Sequence, residues 1–311
     1  MSVEVVVSDG VGRLTLNRPG AINALTLEMI SALAAALDFF EENDLVERVE
    51  LRGEGERGFS AGADVRQLRD WALEGRDTLE FFASEYRLNQ RILTYPKPFT
   101  AYLHGITMGG GMGISVHAGE RVADANTVMA MPETKIGLFP DVLMSWHLAW
   151  LPSDIGTHLA MSGAPFNVGD ALWLRLVDTC EGTAPDPVLP EQAEWIAECY
   201  VGSDPAAIVQ RLEQHSSPQA RAAGAQLRER CPLSVAVSLE AIRQAQEIHT
   251  LEEQVAQETV LAHHMSLRPD FSEGVRAQLV DKDFAPKWQH ARIEDVTRAE
   301  VLAAFETHPE V

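Results

Sequence analysis

The sequence predicts an α/β fold with a helical C-terminal region, and three observations carry that expectation. Apolar strand-like runs alternate with amphipathic stretches up to about residue 180, the pattern of a layered α/β domain. Beyond Pro190 the periodicity is helical throughout. The chain has 311 residues, 46% of them apolar, enough to bury one large core or a core with an appended region. We therefore expect a β/α core over residues 1–185 and a helical region over residues 186–311.

The elements follow in order. Residues 3–7 and 11–16 are valine-rich runs flanking Asp9-Gly10, which reads as a hairpin rather than a signal peptide. Asn17-Arg18-Pro19-Gly20 is a turn. Thr26 can cap a helix reaching Phe40, with Glu28 in its first turn. A strand is expected over residues 46–52, a glycine-rich loop over 53–63, and helices over 64–73 and 79–93. Pro96 and Pro98 precede a strand over 99–104; Gly109-Gly110-Gly111 then opens a helix over 112–118. One strand is expected over 122–130, a proline-containing loop over 131–141, and helices over 192–200, 204–214, 219–230, 234–248 and 251–267.

The formal net charge of −21 works against binding nucleic acid or an anionic membrane. No apolar run approaches the roughly 20 residues that span a bilayer, so a cytoplasmic protein is expected. Cys180, Cys199 and Cys231 have neither metal-ligand spacing nor a disulfide framework, so no metal is expected.

Several motifs invite a chemical reading. Gly53-Glu54-Gly55-Glu56-Arg57-Gly58 fits a dinucleotide fingerprint, but two glutamates would face the pyrophosphate and no long helix opens there, so it reads as a turn. Gly58-Phe59-Ser60-Ala61-Gly62 fits a nucleophile elbow, yet no strand runs into it, and no spacing marks His104, His117, His147 or His158 as a partner of Ser60. The glycine triplet is more informative. It lets another group approach the backbone, and a helix start offers unpaired N–H groups, an arrangement that serves an oxyanion or simply close packing. Glu133 and Asp141 share an apolar, proline-fixed loop. They read equally as solvated acids or as carboxylates tuned for proton transfer.

Taken in order, Leu16-Asn-Arg-Pro19 with Asn23-Ala-Leu25, Phe59-Ser-Ala-Gly-Ala-Asp64, His104-Gly-Ile-Thr-Met-Gly-Gly-Gly111 and Met131-Pro-Glu133 resemble the crotonase (enoyl-CoA hydratase/isomerase) superfamily. The runs around Phe81-Phe82 and Glu85-Tyr86, the extended segment Met131 to Asp141, and the tail Asp270 to Trp288 look like its 3-hydroxyisobutyryl-CoA hydrolase branch. The resemblance implies a β/α spiral core and a short 3-hydroxyacyl-CoA thioester as substrate. Coenzyme A is part of that substrate, and no separate cofactor is implied. It implies an oxyanion hole at the backbone N–H groups of Ala63 and Gly110, catalytic carboxylates at Glu133 and Asp141, and substrate contacts at Glu85, Ala24, Ala61, Gly62 and Asp64. Crotonase cores form trimers, so a homo-oligomer is expected by analogy.

Two departures matter. A hydratase of the superfamily uses a second glutamate two residues after the glycine triplet; that position is Gly113 here, which favours hydrolysis over hydration. The dienoyl-CoA isomerases use a carboxylate pair spaced like Glu133 and Asp141, so isomerisation stays open. After Asp141 the hydrolase branch continues with a glycine-rich turn, where this chain has Val142-Leu143-Met144-Ser145-Trp146. Those bulky residues could reshape the acyl pocket, or close it and leave a non-catalytic acyl-CoA-binding scaffold. Arg18, Arg57, Lys97, Lys282 and Lys287 are candidate cations for the CoA phosphates.

Overall fold

The structure, a computed structural model, describes residues 2–306. It divides into two compact units. The first comprises Met1–Asp64, Ala83–Ala130 and Pro165–Val188; the second comprises Val65–Phe82, Met131–Ala164 and Leu189–Val311. The units thus interleave along the chain, where the sequence predicts a single boundary after residue 185.

The first unit is built on nine strands among the described residues: β1 (Val3–Ser8), β2 (Val11–Leu16), β3 (Arg48–Gly53), β4 (Phe99–Leu103), β5 (Ile106–Met108), β6 (Glu120–Asp124), β7 (Val128–Ala130), β8 (Phe166–Asn167) and β9 (Thr179–Glu181). Six form one sheet in the order β1-β2-β3-β4-β6-β9, antiparallel at β1–β2 and parallel beyond. The hairpin at β1–β2 turns on Asp9 and Gly10, both at positive φ. The remaining three form a small sheet, β5-β7-β8.

The helix Leu27–Glu42 starts where expected, because the Thr26 side chain accepts the Met29 N–H. It buries Met29, Ile30, Leu33, Leu37 and Phe40, one face of a 3.6-residue repeat, and packs on β1 and β2.

The second unit is helical. Leu189–Cys199, Pro205–Gln214, Pro218–Arg228, Pro232–Ala245 and Leu251–Ser266 match the expected elements, three of them entered through proline at the first turn. Pro232–Ala245 is buried nearly all round, against Met144–Ala149 and Ile155–Ser162. No helix among the described residues is long and apolar enough to cross a membrane.

Two expectations were wrong. The strand over 122–130 is two strands in different sheets, β6 and β7. Asp124 breaks it: its carboxylate accepts the Asn126 N–H at 2.9 Å and the Thr127 hydroxyl at 3.0 Å, an Asx-type turn. The helix over 112–118 is a single turn, Gly110–Gly113. Its glycines pay the largest backbone entropy cost, and the Ser115 hydroxyl bonds back to the Gly111 carbonyl at 2.7 Å.

Candidate active site

In the first unit the glycine loop is laced on both sides. On one side Phe59 N–H donates to His104 O at 2.8 Å, Ser60 N–H to Ile106 O at 3.1 Å, and Met108 N–H to Ser60 O at 3.0 Å. On the other, Ala61 N–H donates to Ile22 O, Leu25 N–H to Gly62 O and Asp64 N–H to Leu25 O, each at 2.8 Å. Gly62 N–H donates to the Ser60 hydroxyl at 3.2 Å. From Phe59 to Asp64, among the described residues, only the Ala63 N–H is left without a protein acceptor.

The glycine triplet meets this loop. A Cβ on Gly62 would lie 3.0 Å from the Gly110 nitrogen, and one on Gly110 would lie 3.3 Å from the Ala63 nitrogen. The Gly110 N–H stands in the first helical turn, ahead of any intrahelical acceptor. Gly109 adopts φ 51°, ψ −127°, a conformation open to glycine, and its N–H is tied to Ala130 O at 3.1 Å. With only one turn the helix macrodipole adds little, so the donors act as local N–H groups. Glu85 completes the cluster. It is 1% exposed, and its Oε1 lies where a Gly110 side chain would begin.

The structure thus brings Ala63, Gly110, Glu85, Ala61, Gly62, Asp64 and Ala24 together. Arg18 binds the last two, donating to the Ala24 carbonyl and pairing with Asp64 at 3.0 Å. Its charge is committed there, which weakens its case as a phosphate ligand. Lys97 caps the helix Leu27–Glu42, its ammonium on Phe40 O and Asn43 O, and is likewise committed. Arg57, Lys282 and Lys287 are exposed.

Ser60 is no nucleophile. It is fully buried, and its hydroxyl donates to Asn23 O at 3.1 Å while accepting from Gly62. Among the histidines, His158 is a core residue against Tyr200 at 2.8 Å, and burial pulls its pKa down to about 4.

Sequence reasoning quoted Asn23 within a matching stretch but gave it no role of its own. Fully buried at φ 50°, it donates to Phe59 O at 2.9 Å and Glu54 O at 3.0 Å and accepts the Arg18 N–H at 2.9 Å. It pins the start of the glycine loop. An asparagine between two turn signals was the available clue.

In the second unit Glu133 opens a 3-10 turn, Glu133–Lys135, and is 6% exposed; Asp141 is 7% exposed at the end of the same loop. The loop is backed by the C-terminal helices. Cys231 N–H donates to Thr134 O at 3.0 Å. Cβ atoms at Gly137 and Gly274 would each lie 2.6 Å from the opposing backbone, so the loop and the helix Pro269–Val275 touch chain to chain. The tail closes on that helix: Asp270 accepts the Gln289 N–H at 2.7 Å, Glu273 accepts the Lys287 N–H at 2.8 Å, and Arg276 pairs with Glu273, Asp281 and Asp283. The distinctive tail therefore has a structural reason. Beside Glu133, burial and then the Arg230 cation pull the Lys135 ammonium below the usual lysine range, while Glu133 itself pulls the other way.

A model of the enoyl-CoA hydratase/isomerase family matches residues 11–184 and 178–305. The chain belongs to that family, the crotonases, and its core is the crotonase fold. Among its relatives, 3-hydroxyisobutyryl-CoA hydrolase 1 of Arabidopsis thaliana is 35% identical over 334 residues, spanning 94% of this chain and 88% of the relative. The mitochondrial 3-hydroxyisobutyryl-CoA hydrolase of Gallus gallus is 34% identical over 331 residues, 93% of this chain and 84% of the relative. Two solved structures are also similar. A carnitinyl-CoA dehydratase from Mycobacterium thermoresistibile has a TM-score of 0.94 and 38% identity, with 99% of this chain and 97% of that one covered. An enoyl-CoA hydratase from Rhodobacter sphaeroides 2.4.1 has a TM-score of 0.93 and 33% identity, with 98% and 97% covered.

Proposed function

We propose that this protein hydrolyses the thioester of a short 3-hydroxyacyl-CoA of the 3-hydroxyisobutyryl type. The observation that carries the reading is the approach of the uncommitted Ala63 N–H to the Gly110 N–H beside buried Glu85. Attack on a thioester moves negative charge onto the carbonyl oxygen. Two fixed backbone donors stabilise that charge without reorganising, and one such donor is typically worth about 10²–10³ in rate. The similarity, over 93–94% of this chain, to relatives named 3-hydroxyisobutyryl-CoA hydrolase supports that choice of acyl group.

In this proposal Glu133 either takes a proton from the attacking water or attacks the carbonyl itself to give an anhydride that water then opens. Asp141 orients the substrate hydroxyl or shares the proton transfer, and Glu85 contacts the substrate. Ala24, Ala61, Gly62 and Asp64 shape the substrate loop. Coenzyme A leaves as the free thiol and no separate cofactor takes part. A step in valine breakdown, a cytoplasmic location and a homotrimer belong to the same proposal, the trimer by analogy.

A second reading, hydration or dehydration of an enoyl-CoA, is favoured by the names of the two solved relatives. It needs a carboxylate where this chain has buried Gly113. The deciding experiment runs free-thiol release from 3-hydroxyisobutyryl-CoA in parallel with hydration of crotonyl-CoA. We expect thiol release to dominate. Hydration without thiol release would replace the hydrolase by the second reading, and ligand-dependent thermal stabilisation without either reaction would leave a binding scaffold.

A further inference from the structure

Asp141 is followed by two residues in the left-handed region, Val142 at φ 51° and Leu143 at φ 63°. Neither is glycine, and valine is β-branched, so each conformation costs on the order of 1–3 kcal/mol and persists only where the surroundings impose it. Those surroundings are explicit. The Asp141 carbonyl accepts the Met144 N–H at 2.8 Å, closing the turn. Val142, Leu143 and Met144 are each at most 1% exposed. From the helix Leu251–Ser266 comes Glu258, 1% exposed. Its Oε2 accepts the Leu143 N–H at 2.7 Å and its Oε1 accepts the Ser145 hydroxyl at 2.5 Å. Gln254 Nε2 donates to both Ser145 Oγ and Glu258 Oε1 at 2.8 Å.

A carboxyl group in that position is expensive. Burying it costs several kcal/mol unless hydrogen bonds compensate, and an apolar residue of similar size would pack at less cost. Here every bond it makes goes to the strained turn or to the strut beside it. A glycine turn could hold the same backbone without such a clamp. We propose that Glu258, supported by Gln254 and Ser145, is a positioning residue that holds the Val142–Leu143 turn in its left-handed form and thereby fixes the Asp141 carboxylate for the reaction. This rests on the role given to Asp141 above.

The sequence contained a trace of this network. Gln254 and Glu258 fall on the buried stripe of their helix with Leu261, Ala262 and Met265, polar residues at apolar positions.

The test compares Glu258→Leu with Glu258→Gln in the full chain. Glutamine can still accept from Leu143 and donate to Ser145. Gln254 can turn its amide so that Oε1, buried without a hydrogen-bond partner, accepts from it. Two readouts are used: kcat and KM for thiol release, and hydrogen exchange of the Leu143 amide. Glu258→Leu should lower kcat about 10²-fold with little change in KM, the scale of a misplaced catalytic group, and should speed exchange at Leu143. Glu258→Gln should recover most of the rate and the protection. Should Glu258→Leu not fold, Ser145→Ala removes one strut and should shift both readouts in the same direction. Wild-type kcat in Glu258→Leu, or equal losses in both Glu258 variants, would overturn the proposal. If the wild type itself releases no thiol, the role of Asp141 fails instead, and unchanged Leu143 exchange in Glu258→Leu would separately remove Glu258 from the turn.

Discussion

Gly110→Ala is the sharpest perturbation of the oxyanion donors. The Gly110 backbone is not at positive φ, so alanine meets no conformational penalty there and the added methyl acts alone. That methyl would overlap Glu85 Oε1, well inside the 3.0 Å that real Cβ atoms respect, and would sit 3.3 Å from the Ala63 nitrogen. Glu85 is 1% exposed, so any shift of its carboxylate takes place among packed neighbours. The carboxylate, the glycine turn or both must move by about 1 Å, and a misplacement of that size costs about 10²-fold in rate, or about 2.7 kcal/mol of transition-state stabilisation. Overpacking itself should cost about 1–3 kcal/mol of stability. Steady-state thiol release gives kcat and KM, and urea unfolding gives stability. Gly119→Ala is the control. Its Cβ meets only Phe99 O at 3.5 Å, so stability should stay within about 0.5 kcal/mol and activity unchanged. A folded Gly110→Ala enzyme with wild-type kcat would refute the assignment of Gly110.

The remaining predictions concern stability and the cations. Burial lifts the Glu258 carboxyl from 4.5 to about 8, the nearby Asp141 charge adding to it against the hydrogen bonds from Ser145 and Leu143. Because the folded value lies above the unfolded one, its contribution is complete below pH 4.5 and is lost as pH rises toward 8, at up to about 1.4 kcal/mol per unit. The difference between wild type and Glu258→Gln in urea titrations from pH 5 to 9 should show this slope and then level. That subtraction removes His158, whose depressed pKa acts oppositely, through loss of stability as pH falls below 6.5. Asn23→Ala should cost about 3 kcal/mol, from stranded buried carbonyls and the positive φ, and should lower activity through the glycine loop; unchanged unfolding would dismiss Asn23 as the pin. Lys97→Met should cost about 0.5–1 kcal/mol as a lost helix C-cap and leave KM for acyl-CoA unchanged; a several-fold rise in KM would return Lys97 to the phosphate ligands.

What the sequence made legible was local and periodic. Thr26 announced its helix, and Leu79–Leu93 appears with the expected bounds. The Val122–Ala130 run misled because both halves are strand-like. The interruption rests on a single aspartate side chain, Asp124, bonding two residues ahead. The ordered motifs pointed to the loop at Ala63 and to the glycine triplet. That the Ala63 N–H is left over depends on the bonds its neighbours make to Ile22, Leu25 and Ser60, which spacing does not encode. The residues after Asp141 read as bulky side chains facing the acyl pocket; what spacing does not encode is that they form a buried left-handed turn bonded to Glu258, 115 residues further along the chain from Leu143.

Thioester hydrolysis that depends on Glu133 is checked by thiol release from 3-hydroxyisobutyryl-CoA with the wild type and Glu133→Gln side by side. The wild type should release thiol, and the variant should lose at least about 10²-fold in kcat, the scale of removing a general base, with an unchanged unfolding profile. A folded Glu133→Gln protein that releases thiol at the wild-type rate would contradict it.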